Sequence, residues 1–248
     1  MSSTSYDTME HLNKIIILIN KYGISEPQYV WSCVSTMEEL FYCNKEFIKN
    51  NLTESFYHYG RLAIDSRPLA NNLLELHDRG VFTYDGQGSV MIYDKWINNK
   101  WTNFDGKKCG RWFTSIEQKP YLDCIIKKKY ANNLLKYLEK INKDLLDDKI
   151  KYIICGEKET VTNIDEIIYN ITRSKTYKKL SQKNTAEWYY GTNLHKNNSF
   201  RDSLCIFDMY DELYDIISNN YVVLNLATEN YGSNIILEKI LLDFFNKD

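Results

Sequence analysis

The sequence has few prolines, few histidines and no long apolar run, and each shortage excludes a class of protein. Three prolines and no low-complexity stretch exclude a proline-rich or linker-dominated chain. The longest apolar run near the start, residues 15–19, is far too short to span a bilayer. The first residues carry acids and lack the basic start and apolar segment of a signal peptide. We therefore expect a soluble, cytoplasmic protein that has no membrane partner.

Charge and cysteine usage exclude further classes. The net charge of −2 argues against a general affinity for nucleic-acid backbone, so nucleic acid is not a favoured partner. The six cysteines show no C-x-x-C, and the four histidines are scattered, which is not zinc-ligand spacing. We expect reduced thiols, no disulfides, no metal and no cofactor. Cys124 and Cys155 lie within apolar, strand-like runs and are predicted to be core residues.

The overall composition is that of a folded chain. Of the 248 residues, 44% are hydrophobic and 14% aromatic, which is enough for a sizeable core. We expect one domain over residues 1–248, with a division into 1–117 and 118–248 as the alternative. Asn, Lys, Ile and Tyr are used heavily. This bias is typical of AT-rich genomes and resembles that of proteins from large cytoplasmic DNA viruses, although some protists and bacteria share it.

Residues 66–89 show the clearest local signals. Ser66 is a candidate N-cap for a leucine-rich helix that ends at Gly80, a residue type that readily adopts the left-handed C-cap conformation. The following residues, 81–93, alternate between strand composition and the turn dipeptides Asp85-Gly86 and Gln87-Gly88. This pattern predicts a β-hairpin.

The rest of the chain predicts an α/β fold, with α+β as a possibility. A helical N-terminal part, with an S-x-x-E capping box at residues 35–38, precedes a central β-meander over residues 90–116. We then expect an open α/β sandwich with a mixed sheet, built either as a split βαβ unit or as a mostly parallel sheet. The predicted order is strand 121–127, helix 130–147, strand 149–155, helix 163–173, strand 186–191, loop 192–202, helix 207–219, strand 221–226 and a last helix capped by Ser233.

The best polar candidates lie between residues 186 and 205. Glu187 follows a predicted strand, and His195, Arg201 and Asp202 fall in the loop after it. Such a set can form a general acid–base site, although a solvated loop has the same composition. A second group, His77-Asp78-Arg79, is interpreted as the solvent-facing end of a helix rather than as a catalytic cluster.

Several short motifs are spread along most of the chain. They are Trp31 with Ser35–Leu40; Leu73, Leu76, His77, Gly80, Val81, Thr83 and Gln87-Gly88; Trp188, Tyr190 and Gly191; Val223; and Tyr231-Gly232-Ser233-Asn234. In this layout the chain resembles an uncharacterised domain family widespread in actinobacteria. The resemblance implies one domain fold and carries no activity. Gln87, Gly88, Trp188, Tyr190, Tyr231 and Asn234 are the binding residues it marks, either as a shared site or as turn and packing positions.

Two functions follow from these observations. With no catalytic signature, near-neutral charge and an aromatic-rich sheet, the chain is interpreted as a virus-encoded accessory or host-interaction protein whose partner is another protein. The alternative is an enzyme that acts on a nucleotide or nucleic acid through Glu187, His195, Arg201 and Asp202.

Overall fold

A computed structural model describes residues 10, 12–17, 30–31, 34–52, 67–87, 90–93, 95–97, 100–102, 112–165, 168–178, 185–188, 193–195 and 211–247. Its helices are α1 (Met37–Ile48), α2 (Ala70–Asp78), α3 (Ala131–Asp144), α4 (Asp211–Asn220) and α5 (Leu237–Phe245), with 3-10 turns at Arg67–Leu69 and Lys128–Tyr130. Its strands are β1 (Phe82–Gln87), β2 (Val90–Tyr93), β3 (Lys95–Ile97), β4 (Lys100–Thr102), β5 (Trp112–Gln118), β6 (Tyr121–Lys127), β7 (Ile150–Cys155), β8 (Thr160–Thr162), β9 (Ile168–Asn170), β10 (Thr172–Lys178), β11 (Thr185–Trp188), β12 (Asn193–His195) and β13 (Tyr221–Thr228).

The main sheet has five strands in the order β1-β6-β13-β7-β8. Each neighbouring pair in it is antiparallel, so the predicted mixed sheet is wrong, while the α/β class is confirmed. Strand β13 lies between β6 and β7, which α3 connects. This is the split βαβ arrangement, and the mostly parallel alternative is excluded.

The predicted hairpin at residues 81–93 is wrong. Strand β1 pairs with β6 in the main sheet, whereas β2 pairs with β5 in a four-stranded sheet of order β11-β10-β5-β2. The predicted meander is also wrong, because β3 and β4 form a small hairpin between β2 and β5, which pair with each other. Composition identified these strands, but their partners are remote in sequence.

The polar segment 157–184 holds strands where a helix was predicted. Residues 163–173, expected to be helical, include β9 and the start of β10. Strand β10 pairs with β5 on one side and β11 on the other, and this pairing outweighs a weak helical pattern. Likewise β12 lies within the predicted loop 192–202 and pairs with β9.

The sequence predicted some helix ends correctly and others incorrectly. The capping box of α1 is real but is shifted by one residue, since Thr36 and Glu39 form it. Gly80 ends the α2 segment with φ +81°, as its residue type predicted. Neither α2 nor α5 has a side-chain cap, since Leu69 and Ile236 directly precede them. The predicted capping of the last helix by Ser233 is therefore wrong, and Ser66 lies outside the described residues.

The core lies around β6, whose first six residues are all buried. Leu122 and Ile126 on one side and Ile125 on the other are fully buried, so the strand is covered on both faces. Cys124 and Cys155 are buried free thiols, as predicted. Within the described ranges, no helix is long and apolar enough to cross a membrane.

Candidate functional site

The register of the main sheet places three polar residues side by side across its first three strands. Asp85 on β1 pairs with Asp123 on β6, and Asp123 pairs in turn with Asn225 on β13. Directly paired residues project on the same face of an antiparallel sheet, so their side chains are neighbours. We call these three residues the acidic row.

Hydrogen bonds fix the carboxyl groups of the acidic row. The Asn225 side-chain amide donates to Asp123 Oδ1 at 2.8 Å. The Tyr121 hydroxyl donates to Asp85 Oδ1 at 3.0 Å, and the Gly86 backbone N–H donates to the same oxygen at 2.8 Å. Each aspartate is therefore held in a defined orientation by a neighbour on its own or the adjacent strand.

Two features of β1 shape this end of the sheet. A β-bulge at Tyr84 shifts the register between Thr83 and Asp85. Asp85-Gly86 was predicted to be part of a turn, but both residues lie in the strand. A Cβ at Gly86 would come within 2.8 Å of Leu122 Cδ1 and 3.3 Å of the Tyr121 carbonyl oxygen, so a larger residue would displace the buried Leu122 side chain.

The environment of Asp123 holds its carboxyl group neutral. Burial and, to a smaller extent, the negative charge of Asp85 raise the pKa of Asp123 from 3.8 to about 8, against the opposing hydrogen bond from Asn225. Burial also raises the pKa of Tyr84, whose hydroxyl bonds to Asn225. At neutral pH the acidic row therefore contains a carboxylic acid that can donate a proton.

The chemistry of this pair is that of proton transfer. A general acid works best when its pKa lies near the operating pH, and the pKa of Asp123 meets that condition. Asp85 supplies a second carboxyl group in the directly opposed position. Two carboxyl groups in unlike environments are a recurring basis for acid–base catalysis.

A second polar cluster includes Lys119, which lies just before β6. Lys119 is only 8% exposed, and its Nζ donates to the Tyr169 hydroxyl at 2.9 Å. That hydroxyl donates to the Thr228 carbonyl at 2.7 Å. The Lys119 ammonium lies 4.0 Å from the ring centroid of Tyr169 and 4.9 Å from that of Tyr231, within cation–π range. We call Lys119, Tyr169 and Tyr231 the lysine clamp.

The lysine clamp and the acidic row lie at the same end of the main sheet. Thr228 at the end of β13 donates its backbone N–H to the Pro120 carbonyl, next to Lys119. Tyr121, which bonds Asp85, is the next residue along the chain. A cation at Lys119, just before β6, and a carboxylic acid at Asp123, on β6, thus lie within one short stretch of the chain.

Two of the residues marked by the family resemblance lie at this end of the sheet. Gln87 pairs with Tyr121 in the register of β1 and β6, and Tyr231 belongs to the lysine clamp. Asn234 is exposed in the segment that leads to α5. Trp188 is the last residue of β11 and pairs with Ser174.

The predicted site at residues 187–202 is only partly within the described residues. Glu187 lies on β11 opposite Lys175, and His195 lies on β12 opposite Ile168, in two different sheets. Arg201 and Asp202 lie outside the described residues, as do Gly88 and Tyr190. That four-residue site stays a prediction.

His77, interpreted as part of a solvent-facing helix end, is instead buried. Its Nε2 accepts from the Thr83 backbone N–H at 3.1 Å and lies 3.2 Å from the Asn44 amide. The proton of the neutral ring is therefore on Nδ1. Burial lowers the pKa of His77 to about 3. The network joins α1, α2 and β1.

The comparisons with known proteins give no information about the site. The sequence matches no protein-family model, and no curated protein is significantly similar to it. The resemblance to an actinobacterial family therefore stays a prediction. Across the part of the chain that the structure describes, no three His, Cys, Asp or Glu side chains group closely enough to hold a metal ion.

Asp123 and Asn225 were missed because each sits within an apolar strand pattern, and Asp85 was missed because it was assigned to a turn dipeptide. Asp123 lies in YLDCIIK and Asn225 in YVVLNLAT, runs interpreted only as buried strands. A charged residue inside such a run is itself a signal, since burying a carboxyl group is costly without a partner. The identity of that partner depends on strand pairing.

Proposed function

We propose that this protein is an enzyme that uses Asp123 as a general acid on a small polar substrate. The observation that carries the proposal is the direct pairing of Asp123, neutral at physiological pH, with Asp85. Buried titratable groups whose pKa values are shifted by a specific charge partner are concentrated at catalytic sites.

The position of the pair supports access by a substrate. β1 is an edge strand of the main sheet, and Asp85 on it is only partly buried. Asp123 is one strand further in and is 9% exposed. A substrate that approached across β1 would meet Asp85 first and then the acid, with Tyr84 and Asn225 as further hydrogen-bonding groups. In this arrangement Asp123 gives its proton to the leaving atom, and Asp85 orients or deprotonates the attacking group.

The test uses three variants of the full chain. Asp123→Asn removes the proton donor, Asp85→Asn removes the second carboxyl group, and Asp165→Asn removes an exposed carboxyl group elsewhere as a control. Each is assayed against chromogenic carboxylic esters, phosphate esters and glycosides, whose cleavage benefits from acid catalysis. We expect Asp123→Asn to lower turnover by about 100-fold or more, and Asp165→Asn to leave it unchanged.

Carbon-13 NMR of the aspartate carboxyl groups tests the basis of the proposal separately. A carboxyl signal that titrates near pH 8 should be present in the parent protein and absent in Asp123→Asn. No turnover by the parent protein across the panel, or equal turnover by Asp123→Asn and the parent, would refute the proposed function.

The interpretation as a virus-encoded, cytoplasmic protein that binds a host protein depends on composition alone. It stays a prediction, and the acid–base proposal does not require it.

A further inference from the structure

A hollow on the helical side of the molecule has the chemistry of an anion site. It lies between the C-terminal end of α2, the 3-10 turn that leads into α3, and the end of α5, and its volume is about 640 Å³. This is within the size range of small-molecule sites. Its lining residues are Asp78, Arg79, Lys129, Tyr130, Asn133 and Phe245.

The cationic side chains that line the hollow include an N–H donor that no acceptor in the described part of the chain satisfies. Arg79 Nη2 binds Glu75 Oε1 at 2.6 Å, while the buried Nε of Arg79 has no hydrogen-bond partner among the described residues. An unsatisfied buried donor is costly, so the Arg79 guanidinium is not fully satisfied by Glu75, and an anion in the hollow would add acceptors beside it. Asp78 also lines the hollow, but its carboxylate is bound to Lys45 on α1. This ion pair lowers the pKa of Asp78 and locally neutralises the carboxylate charge.

The start of α3 adds positive potential on the opposite wall. The helix has no acidic residue in its first turn and no side-chain cap, and Lys129 stands exposed just before it. The first backbone N–H groups of a helix favour an anion, and here no side-chain carboxylate compensates them. Arg79 and Lys129 thus face the hollow from different elements.

Aromatic rings form the remaining wall. Tyr130 and Phe245 pack edge to face with centroids 5.2 Å apart, and both are only partly buried. The Lys129 ammonium lies 4.7 Å from the Tyr130 ring centroid. A ligand that carries both a negative group and a flat ring would contact the cations and the rings together.

We propose that this hollow binds a phosphate monoester joined to a flat ring, either an aryl phosphate or a nucleoside monophosphate. The phosphate would accept from the Arg79 guanidinium and the Lys129 ammonium, and the ring would pack on Phe245 and Tyr130. A guanidinium and an ammonium together favour phosphate, which carries more charge and more acceptor oxygens than a carboxylate. The site is distinct from the acidic row, so its occupancy does not depend on Asp123.

The test is calorimetric titration of the full chain with inorganic phosphate, phenyl phosphate and adenosine monophosphate. Lys129→Gln should weaken binding of the ring-bearing phosphates about tenfold, the loss expected for one charge-assisted hydrogen bond. Lys128→Gln is the matched control, because it removes the same charge from the adjacent exposed residue outside the hollow and should change the Kd less than about twofold. Phe245→Leu should abolish the preference for ring-bearing phosphates over inorganic phosphate.

The outcomes separate the two ligand sources. Tighter binding of adenosine monophosphate supports a nucleotide site, and tighter binding of phenyl phosphate supports an aryl phosphate site. Equal binding of all three anions, equal losses in Lys128→Gln and Lys129→Gln, or no binding up to about 10 mM would overturn the proposal. Asp123→Asn should bind these ligands like the parent, which keeps this result independent of the proposed function.

Discussion

Replacing Asp123 with Asn should stabilise the protein, and more so as the pH rises. Asn has the shape of the neutral acid. Its side-chain oxygen can still accept from Asn225, and its amide can donate where the acid carries its proton. Unlike the acid, it cannot ionise. The substitution therefore removes only the cost of keeping a carboxyl group buried next to Asp85.

The magnitude follows from the pKa of Asp123 in the folded and unfolded chain. Burial and the charge of Asp85 raise this pKa from 3.8 to about 8, so between these values the folded state holds a proton that the unfolded state has lost. Folding stability then falls as pH rises through this window. At about 1.4 kcal/mol per pH unit, the parent loses on the order of 4 kcal/mol by pH 7, relative to pH below 3.8.

His77 produces the opposite trend in the lower part of the same window. Its pKa is lowered by burial from 6.5 to about 3, so its contribution is present above pH 6.5 and is lost as pH falls toward 3. In the parent the two trends offset each other between pH 4 and 6.5. Because His77 is common to both proteins, the difference between Asp123→Asn and the parent isolates Asp123.

The assay is urea unfolding of the parent, Asp123→Asn and Asp165→Asn at pH values from 4 to 9. We expect Asp123→Asn to match the parent within about 1 kcal/mol at pH 4 and to exceed it by several kcal/mol at pH 8. Asp165→Asn should follow the parent throughout, since Asp165 is exposed. A stability difference that does not change with pH, or that falls as pH rises, would show that Asp123 is not held neutral.

Three further substitutions test other contacts. Asp85→Asn removes the charge that raises the pKa of Asp123, so the carboxyl titration of Asp123 seen by carbon-13 NMR should move to lower pH, and an unchanged titration would contradict the coupling. Gly80→Ala should lower the free energy of unfolding by about 1 kcal/mol, because the φ of +81° is unfavourable for alanine although there is space for its methyl group. If urea unfolding showed no loss of stability, the left-handed cap would be contradicted. Tyr169→Phe keeps the ring beside Lys119 but removes its hydroxyl, and should cost about 2 kcal/mol in the same assay; a neutral result would mean that the hydroxyl bonds are dispensable.

Part of the candidate site could be located from sequence. Gln87 and Tyr231 were marked by short motifs and lie at the end of the sheet where the acidic row and the lysine clamp meet. Asp123 was not marked, because the segment YLDCIIK does not show whether its one carboxyl group has a partner on another strand. Its partner Asp85 lies on β1, which was predicted to form a hairpin with β2 and instead pairs with β6.

The sequence by itself determined the features that depend on neighbours along the chain. The strands at 121–127 and 149–155, the amphipathic helix α3 between them and the stop at Gly80 all follow from periodicity and backbone preference within a few residues. These signals are local, so a single sequence contains them.

The tertiary structure alone decided which strands pair and which groups are buried together. β1 joined β6 rather than β2, β9 and the start of β10 replaced part of the helix predicted at 163–173, and β13 entered between β6 and β7. Strand partners are chosen by packing between residues remote in sequence, and propensity is weak beside that choice. The pKa of Asp123 is equally non-local, because it depends on burial and on a charge from another strand.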